Sequence, residues 1–245
     1  MTLLKATAIS KRFGGLMALS DVDFSVAPGE FVAVIGPNGA GKSTFLNVLT
    51  GLAMPTSGEV AFDGRDITRA PTHSRIQAGL GRTFQHGRLF TRLSVLENVM
   101  TGAAIRTQRS ESQLHETSLR MLDRMGLAGE ANRPIDALSY GQRRMVELCR
   151  ALACGPRLLL LDEPAAGLNS GEVELLKARL TALRAEQELA IVLIEHNMGM
   201  VMRLAERILV LNFGCRIAEG TPAQVQADPA VLAAYLGEGY NDARD

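Results

Sequence analysis

The sequence has few of the features that place a chain in a membrane, outside the cell or on a nucleic acid. No apolar run approaches the roughly 18 residues needed to span a bilayer. The N-terminal segment lacks the long apolar stretch and the small-residue cleavage site of a signal peptide, so we expect a cytoplasmic location. Basic and acidic residues number 26 each, which argues against a nucleic-acid binder that relies on a basic face.

Cysteine is also scarce. Cys149, Cys154 and Cys215 are odd in number, and no C-x-x-C pair occurs, so neither a disulfide framework nor a metal cluster is expected. What the chain has in an ordinary amount is apolar residues, at 47% of 245 positions. That length and composition suit one large domain or two small ones with a proper core.

Short apolar runs alternate with helical segments along the chain. The runs are "FVAVI" at 31–35, "LLLLDEP" at 158–164 and "AIVLIEH" at 190–196. Such alternation predicts an α/β fold with a mostly parallel sheet, and in these sheets ligands gather at the carboxyl ends of the strands. Two apolar stripes at helical spacing are predicted to face the core: Val173, Leu176, Leu180 and Leu183, and Met198, Val201, Met202 and Ala205.

The region from about 88 to 155 reads as helical, with no convincing strand. We interpret it as a helical subdomain inserted into a core formed by residues of about 1–87 and 156–245. The first 30 residues and "GEVAFDG" at 58–64 are predicted to form antiparallel strands beside that core. The whole chain is then a single domain with two additions to its sheet.

"GPNGAGKS", residues 36–43, fits the phosphate-loop pattern G-x-x-x-x-G-K-[ST] at every fixed position. A strand precedes it and a helix follows, which is the context that the pattern requires. Its glycines let backbone amides turn inward around phosphate oxygens. Lys42 is expected to reach the β- and γ-phosphates, Ser43 to hold Mg²⁺, and Thr44 to bond the α-phosphate.

Acidic and polar residues follow the other two apolar runs. Asp162 is a candidate Mg²⁺ ligand, and Glu163 is a candidate general base for an attacking water. Gln85 and His196 are single polar residues that carry little weight alone. "LSYGQ" at 138–142 offers a hydroxyl and a flexible backbone at a helix start, which is half of an anion site.

With these motifs in this order, the chain resembles the nucleotide-binding subunit of an ABC (ATP-binding cassette) transporter. The resemblance covers essentially the whole chain and implies a phosphate-loop NTPase cassette that hydrolyses ATP with Mg²⁺ to drive transmembrane transport. It implies catalytic roles for Lys42, Gln85, Glu163 and His196, and metal contacts by Ser43, Gln85 and Asp162. The nucleotide contacts that it implies are Phe13, Gly36, Pro37, Asn38, Gly39, Ala40, Gly41, Lys42, Ser43, Thr44, Ser139, Gly141 and Gln142.

The resemblance also explains why "LSYGQ" is only half of a site. In this family two cassettes pack head to tail, and the signature loop of one binds the γ-phosphate held by the other. The implied partners are therefore a second cassette, of the same or a similar chain, together with membrane permease subunits and, indirectly, a substrate-binding protein. Tyr140 stands where the family commonly has Gly, and Asn169 stands where Asp is common.

Finer features resemble the importer ATPases for branched-chain amino acids. These are "GRTFQHGRLF", "LSYGQRR", "DEPAAGLN", "IEHNM" and "AYLGEG", and both Tyr140 and Asn169 are usual in that branch. Cassettes for other cargo, such as urea, other amino acids or an exported lipopolysaccharide, remain alternatives. A soluble cassette of DNA repair or translation is disfavoured, because such proteins usually show a second cassette, a long coiled coil or a basic patch, and this sequence shows none of these. A small-molecule kinase is disfavoured because it would need an acceptor pocket, whereas Glu163 beside the metal ligand suits water as the nucleophile.

Overall fold

The computed structural model describes residues 1–83, 89–105, 110–187 and 189–239. The chain divides into two compact units, Met1–Arg75 with Ala190–Asp245, and Ile76–Leu189. Among the described residues, no helix is long and apolar enough to cross a bilayer. The predicted boundaries of the helical subdomain stay a prediction, and the elements of each unit are given below.

The first unit contains an antiparallel sheet and a mostly parallel one. In chain order its elements are β1 (Leu4–Phe13), β2 (Leu16–Val26), β3 (Phe31–Ile35), α1 (Lys42–Thr50), β4 (Ser57–Phe62), β5 (Arg65–Asp66) and the start of α2 (Thr72–Ala78). The antiparallel sheet has the order β2-β1-β4-β5, as the N-terminal segment and "GEVAFDG" predict.

The mostly parallel sheet of the first unit is built around the buried strand β3. The later elements of the unit are β8 (Ala190–Ile194), α7 (Met198–Leu204), β9 (Arg207–Asn212), β10 (Cys215–Gly220), α8 (Pro222–Ala227) and α9 (Pro229–Gly239). Strand β3 pairs in parallel with both β8 and β9, and β10 joins β9 antiparallel. Every residue of β3 and β8 is buried, as expected of strands that are covered on both faces.

The second unit is mainly helical around one parallel pair of strands. Its elements are β6 (Leu80–Arg82), α3 (Val95–Ala103), α4 (Glu111–Arg124), α5 (Tyr140–Ala153), β7 (Leu158–Asp162) and α6 (Ser170–Gln187). Helices α3, α4 and α5 are each preceded by a serine N-cap. The serine side chain accepts from the backbone amide three residues on, and that residue's side chain accepts from the serine amide, which is a capping box. This arrangement confirms the predicted fold class, with parallel strands, an antiparallel sheet and an added helical part.

One of the two predicted apolar stripes is confirmed, and the other is wrong in part. Val173, Leu176, Leu180 and Leu183 are all buried on α6. On α7, however, Met198 is exposed while Met200 is completely buried. The helix has only seven residues and begins after a capping Asn197, so its orientation is set by the cap and by its neighbours rather than by the spacing.

Candidate functional site

The phosphate loop connects β3 to α1 in the first unit. Gly36 has a φ of 150°, and a Cβ atom there would lie 2.0 Å from the carbonyl oxygen of Leu211 on β9. Only glycine therefore fits where the loop leaves the sheet. The Lys42 side chain is 6% exposed and donates to the carbonyl oxygens of Gly36 and Pro37 at 2.6 and 2.8 Å. The Lys42 side chain thus folds back onto the phosphate loop and binds its carbonyl groups.

Helix α1 begins without a side-chain cap. Its N-cap residue, Gly41, has a left-handed backbone conformation and no side chain that could accept a hydrogen bond from the helix amides. An anion suits this end of α1, because the N-cap residue offers no side chain to the amides of the first turn and the helix dipole favours a negative charge there. Ser43 is exposed and Thr44 half-buried in this turn, so both hydroxyls lie where phosphate or metal could reach them.

The opposite end of α1 is held by an arginine that the sequence analysis missed. Arg75 is 1% exposed, and its guanidinium donates to four carbonyl oxygens, those of Val48, Leu49, Thr68 and Ala70, at 2.8–2.9 Å. Two of these carbonyls belong to the last turn of α1, where a cation also complements the helix dipole. Burial lowers the pKa of Arg75, and the charge of Asp66 opposes that effect.

Another predicted catalytic residue, His196, belongs to the first unit. It lies two residues after Ile194, the last residue of β8. Ile194 pairs with Val34 of β3, and Gly36 lies two residues after Val34. Because β3 and β8 are parallel, both segments leave the sheet at the same carboxyl edge. His196 is exposed, and its backbone amide donates to the Glu195 carboxylate at 3.1 Å.

Phe13 ends β1 in the same unit, and its ring is 51% exposed. The ring is therefore not packed into the core. The Lys11 ammonium lies 4.8 Å from the ring centroid. An exposed aromatic face suits stacking on a flat base, which is the role that the resemblance gives to Phe13.

The predicted metal ligand Asp162 and the predicted general base Glu163 stand at the end of β7 in the second unit. Asp162 is 3% exposed, and its Oδ2 accepts a hydrogen bond from the guanidinium of Arg82 at 3.0 Å. Glu163 is half-buried and has a φ of 48°, a conformation that is rare for any residue other than glycine. Such backbone strain is found mostly at functional sites.

The signature segment forms a helix cap in its own chain. The Ser139 hydroxyl accepts from the Gln142 amide at 3.2 Å, and the Gln142 side chain accepts from the Ser139 amide at 2.9 Å. Gly141 is buried, and a Cβ atom there would lie 2.1 Å from Oε1 of Glu172, which caps α6 together with Asn169. A larger residue at position 141 would therefore displace the Glu172 carboxylate from its place in the cap of α6.

Tyr140 links the signature segment to the loop after β7. Its hydroxyl donates to the Ala166 carbonyl at 3.2 Å, and its ring lies 2.8 Å from the position that a Cβ atom on Gly167 would take. Arg144 donates to the same hydroxyl and forms a 3.0 Å ion pair with Glu147. Burial raises the pKa of Glu147, and the hydrogen bond from Arg144 opposes that shift. The tyrosine that departs from the common family pattern thus has a defined place.

The phosphate loop with His196 belongs to the first unit, and the carboxylates with the signature segment belong to the second. Gln85 falls in 84–88, outside the described residues, so its predicted role is untouched. Sequence reasoning missed Arg75, which belongs to no motif, and gave no role to Arg82, although Arg82 is the second residue of "GRTFQHGRLF". Arg82 did carry one signal, since a charged residue ended a short strand just before the predicted Gln85 loop.

Comparison with known proteins assigns the chain to a family. A family model described as ABC transporter matches residues 19–166, which is more than half of the chain. The chain belongs to the ABC transporter family. The resemblance predicted from the motifs is confirmed, and this cassette binds and hydrolyses ATP. A second model, described as branched-chain amino acid ATP-binding cassette transporter, matches residues 215–241.

Curated relatives align with nearly the whole length of the cassette. The high-affinity branched-chain amino acid transport ATP-binding proteins BraF of Pseudomonas aeruginosa and LivG of Escherichia coli are each 40% identical to it over 250 positions, covering 96% of this chain and 98% of theirs. The lipopolysaccharide export system ATP-binding protein LptB of Haemophilus influenzae is 36% identical, covering 98% of this chain and 99% of its own.

Solved structures share the fold. A nucleotide-free ATP-binding cassette of an ABC transporter matches with a TM-score of 0.87 and 31% identity, covering 96% of this chain and 99% of that chain. A cassette in its ADP conformation matches with a TM-score of 0.87 and 32% identity, covering 97% and 99%. A dimeric post-hydrolysis cassette bound to ADP and Pi matches with a TM-score of 0.81 and 30% identity, covering 89% and 98%.

Proposed function

We propose that this ABC cassette is the ATP-hydrolysing subunit of an importer for branched-chain amino acids, held on the cytoplasmic face of the inner membrane by its permease. The cargo assignment rests on the similarity to BraF and LivG over 96% of this chain. The match of the second family model at residues 215–241 supports it. The sequence features "LSYGQRR" and "AYLGEG" support the same branch.

We infer the following roles for this chain's own residues. Lys42 releases the loop carbonyls and donates to the β- and γ-phosphates, while the α1 amides hold the remaining oxygens. Glu163 accepts the proton of the attacking water, since its carboxylate follows the strand that carries the metal ligand. His196, at the edge that also carries the phosphate loop, contacts the γ-phosphate, and Phe13 stacks on the base. Gln85 senses the γ-phosphate.

Mg²⁺ is proposed as the metal, held by Asp162, Ser43 and Gln85. A carboxylate, a hydroxyl and an amide offer hard oxygen donors, which fit Mg²⁺ better than they fit softer metals. The buried Asp162 carboxylate at the end of β7 and the exposed Ser43 hydroxyl in the first turn of α1 fit this assignment. When bound, the ion neutralises charge on the phosphate oxygens.

A second cassette is the proposed partner for the signature segment. Ser139 is exposed at the start of α5, and its hydroxyl can serve a phosphate while the backbone amides of the first turn point the same way. The dimeric cassette among the solved structures supports pairing of two cassettes. The partner is either a second copy or a similar chain.

The permease is proposed to dock on the second unit near Phe90. A cavity of about 370 Å³ opens there, lined mostly by apolar groups that include Phe90, Ile105 and Ala151. Phe90 is 52% exposed, and its neighbours Leu89 and Leu93 are half-buried. An exposed apolar lining of this kind suits a short amphipathic helix of a membrane subunit.

Lys42→Ala tests the phosphate-loop assignment. We expect ATP binding to weaken by about 10- to 100-fold, because a charge-assisted hydrogen bond contributes about 1.5–3 kcal/mol. Hydrolysis at limiting ATP should fall by at least as much. Equilibrium binding of a fluorescent ATP analogue and phosphate release measure the two effects. Lys5→Ala, on an exposed position of β1, is the matched control, and a wild-type rate in Lys42→Ala would exclude the assignment.

Uptake in the native cell tests the cargo. Deleting the chain should abolish high-affinity uptake of leucine, isoleucine and valine, and the tagged chain should co-purify from membranes with permease subunits. The similarity to LptB supports one other candidate, lipopolysaccharide export. Unchanged uptake of all three amino acids together with a defect in lipopolysaccharide transport would favour that candidate and leave the ATPase assignment intact.

A further inference from the structure

Arg82 and Asp162 form an ion pair that is almost completely shielded from water. The guanidinium Nη2 lies 3.0 Å from Oδ2 of Asp162, and the two side chains are 8% and 4% exposed. Arg82 ends β6 and Asp162 ends β7, and the backbone pairing of Arg82 with Leu160 fixes the guanidinium beside the carboxylate. Burial lowers the pKa of Arg82, and the Asp162 charge opposes that shift.

The arginine is bound to the carboxylate that the proposed function assigns to Mg²⁺. An arginine in a protein does not lose its proton at physiological pH, so a full positive charge stays beside this oxygen. A divalent cation near Asp162 must meet that charge, and little solvent is present to screen it. Either the guanidinium yields its place on Oδ2, or the metal binds a carboxylate whose charge is already partly neutralised.

We infer that Arg82 is a tethered counter-ion that competes with Mg²⁺ for Asp162 and so lowers the metal affinity of the nucleotide site. The inference rests on the proposed metal role of Asp162 and adds a residue that sets the strength of that role. In the nucleotide-free chain the arginine keeps the buried carboxylate neutralised, which avoids the cost of an unpaired buried charge. A Mg²⁺ ion held by Asp162 would supply that neutralisation instead.

This inference predicts a gain where a purely structural role predicts a loss. If Arg82 only holds Asp162 in place, its removal disorders the carboxylate and weakens metal binding. If Arg82 is a competing counter-ion, its removal takes a positive charge away from the carboxylate and strengthens metal binding. At the same time, removing a positive charge weakens the binding of metal-free nucleotide, which carries its full negative charge.

The test is calorimetric titration of the full chain with ADP, which avoids hydrolysis, once in EDTA and once in excess Mg²⁺. The measured quantity is the ratio of the dissociation constant in EDTA to that in Mg²⁺. We expect Arg82→Met and Arg82→Gln to raise this ratio by about tenfold, as expected for a nearby charge at low solvent exposure. Gln can still donate to Asp162, which protects against loss of folding if Met is not tolerated.

Three further variants separate the possible causes. Arg82→Lys keeps the charge and should keep the ratio near that of wild type. Arg207→Met removes another ion-paired arginine, 2.8 Å from Glu30 in the first unit, and should leave the ratio unchanged. Asp162→Asn should bring the ratio towards one. Circular dichroism confirms that each variant is folded.

The outcomes distinguish this inference from the function on which it rests. A wild-type ratio of one would remove the metal role of Asp162, and the counter-ion role with it. A wild-type ratio well above one, together with an unchanged or lower ratio in the neutral Arg82 variants, would overturn the counter-ion role alone and leave the metal site standing.

Discussion

Glu163→Gln is expected to lower ATP hydrolysis by about 10²- to 10⁴-fold, or roughly 3 to 5 kcal/mol of barrier, while ATP binding stays nearly unchanged. Glutamine keeps the size and the hydrogen-bonding capacity of the side chain but cannot accept the proton of the attacking water. Glu116→Gln, on an exposed position of α4, is the matched control and should hydrolyse ATP at the wild-type rate. Phosphate release measures the first effect and equilibrium titration the second.

The same variant should also trap the proposed dimer. With the γ-phosphate uncleaved, contacts from Ser139 and Gly141 of one cassette to the nucleotide of the other persist, so the dimer is long-lived with ATP and absent with ADP. Adding Ser139→Arg should abolish it by placing bulk where phosphate must fit. Size exclusion with light scattering measures the mass, with the partner cassette included. A monomer with ATP in every combination would contradict the head-to-tail sandwich and leave Ser139 as a helix cap.

Arg75→Met is expected to destabilise the protein by about 4 kcal/mol or more, because four hydrogen bonds from a buried guanidinium are each worth about 1 kcal/mol. The substitution leaves the carbonyl groups of Val48, Leu49, Thr68 and Ala70 without this donor. A loss of this size is a large fraction of the stability of an ordinary domain. Urea unfolding followed by circular dichroism measures the free energy of unfolding.

The control for this prediction is Arg69→Met. Arg69 is exposed and lies only six positions away, so its loss should change the free energy of unfolding by less than about 0.5 kcal/mol. Since Arg75 holds the C-terminal end of the helix whose first turn binds phosphate, ADP affinity should fall in Arg75→Met even where the variant is fully folded. Equal stability of the two variants would show that water replaces the guanidinium at low cost.

The parts of this protein that local sequence could predict are those in which neighbouring residues act together. The phosphate loop is one, because its glycines, Lys42 and Ser43 lie within eight positions and their order alone sets the backbone turn and the helix start. The apolar runs of β3, β7 and β8 are another, since a strand buried on both faces needs no polar residue. These patterns predicted the family and the fold class, and both are confirmed.

The roles predicted for individual residues, unlike the family and the fold class, stay predictions. Phe13 is exposed and His196 lies at the edge of the sheet that carries the phosphate loop, so both positions agree with the roles assigned to them. The assignments of Asp162, Glu163 and Ser139 stay predictions, which the variants above test. Exposure and position describe what a side chain can reach, whereas a role in catalysis is a change in rate.

Sequence by itself determined the chemistry that this chain carries, because that chemistry lies in short segments whose residues are neighbours. Only the tertiary structure decided which residues support it. Arg82 meets Asp162 across 80 positions, and Arg75 meets Val48 across 27. Gly141 packs against the carboxylate of Glu172, which belongs to another helix. Such partners are chosen by strand pairing and helix packing, and neither local propensity nor periodicity records which distant segments will meet.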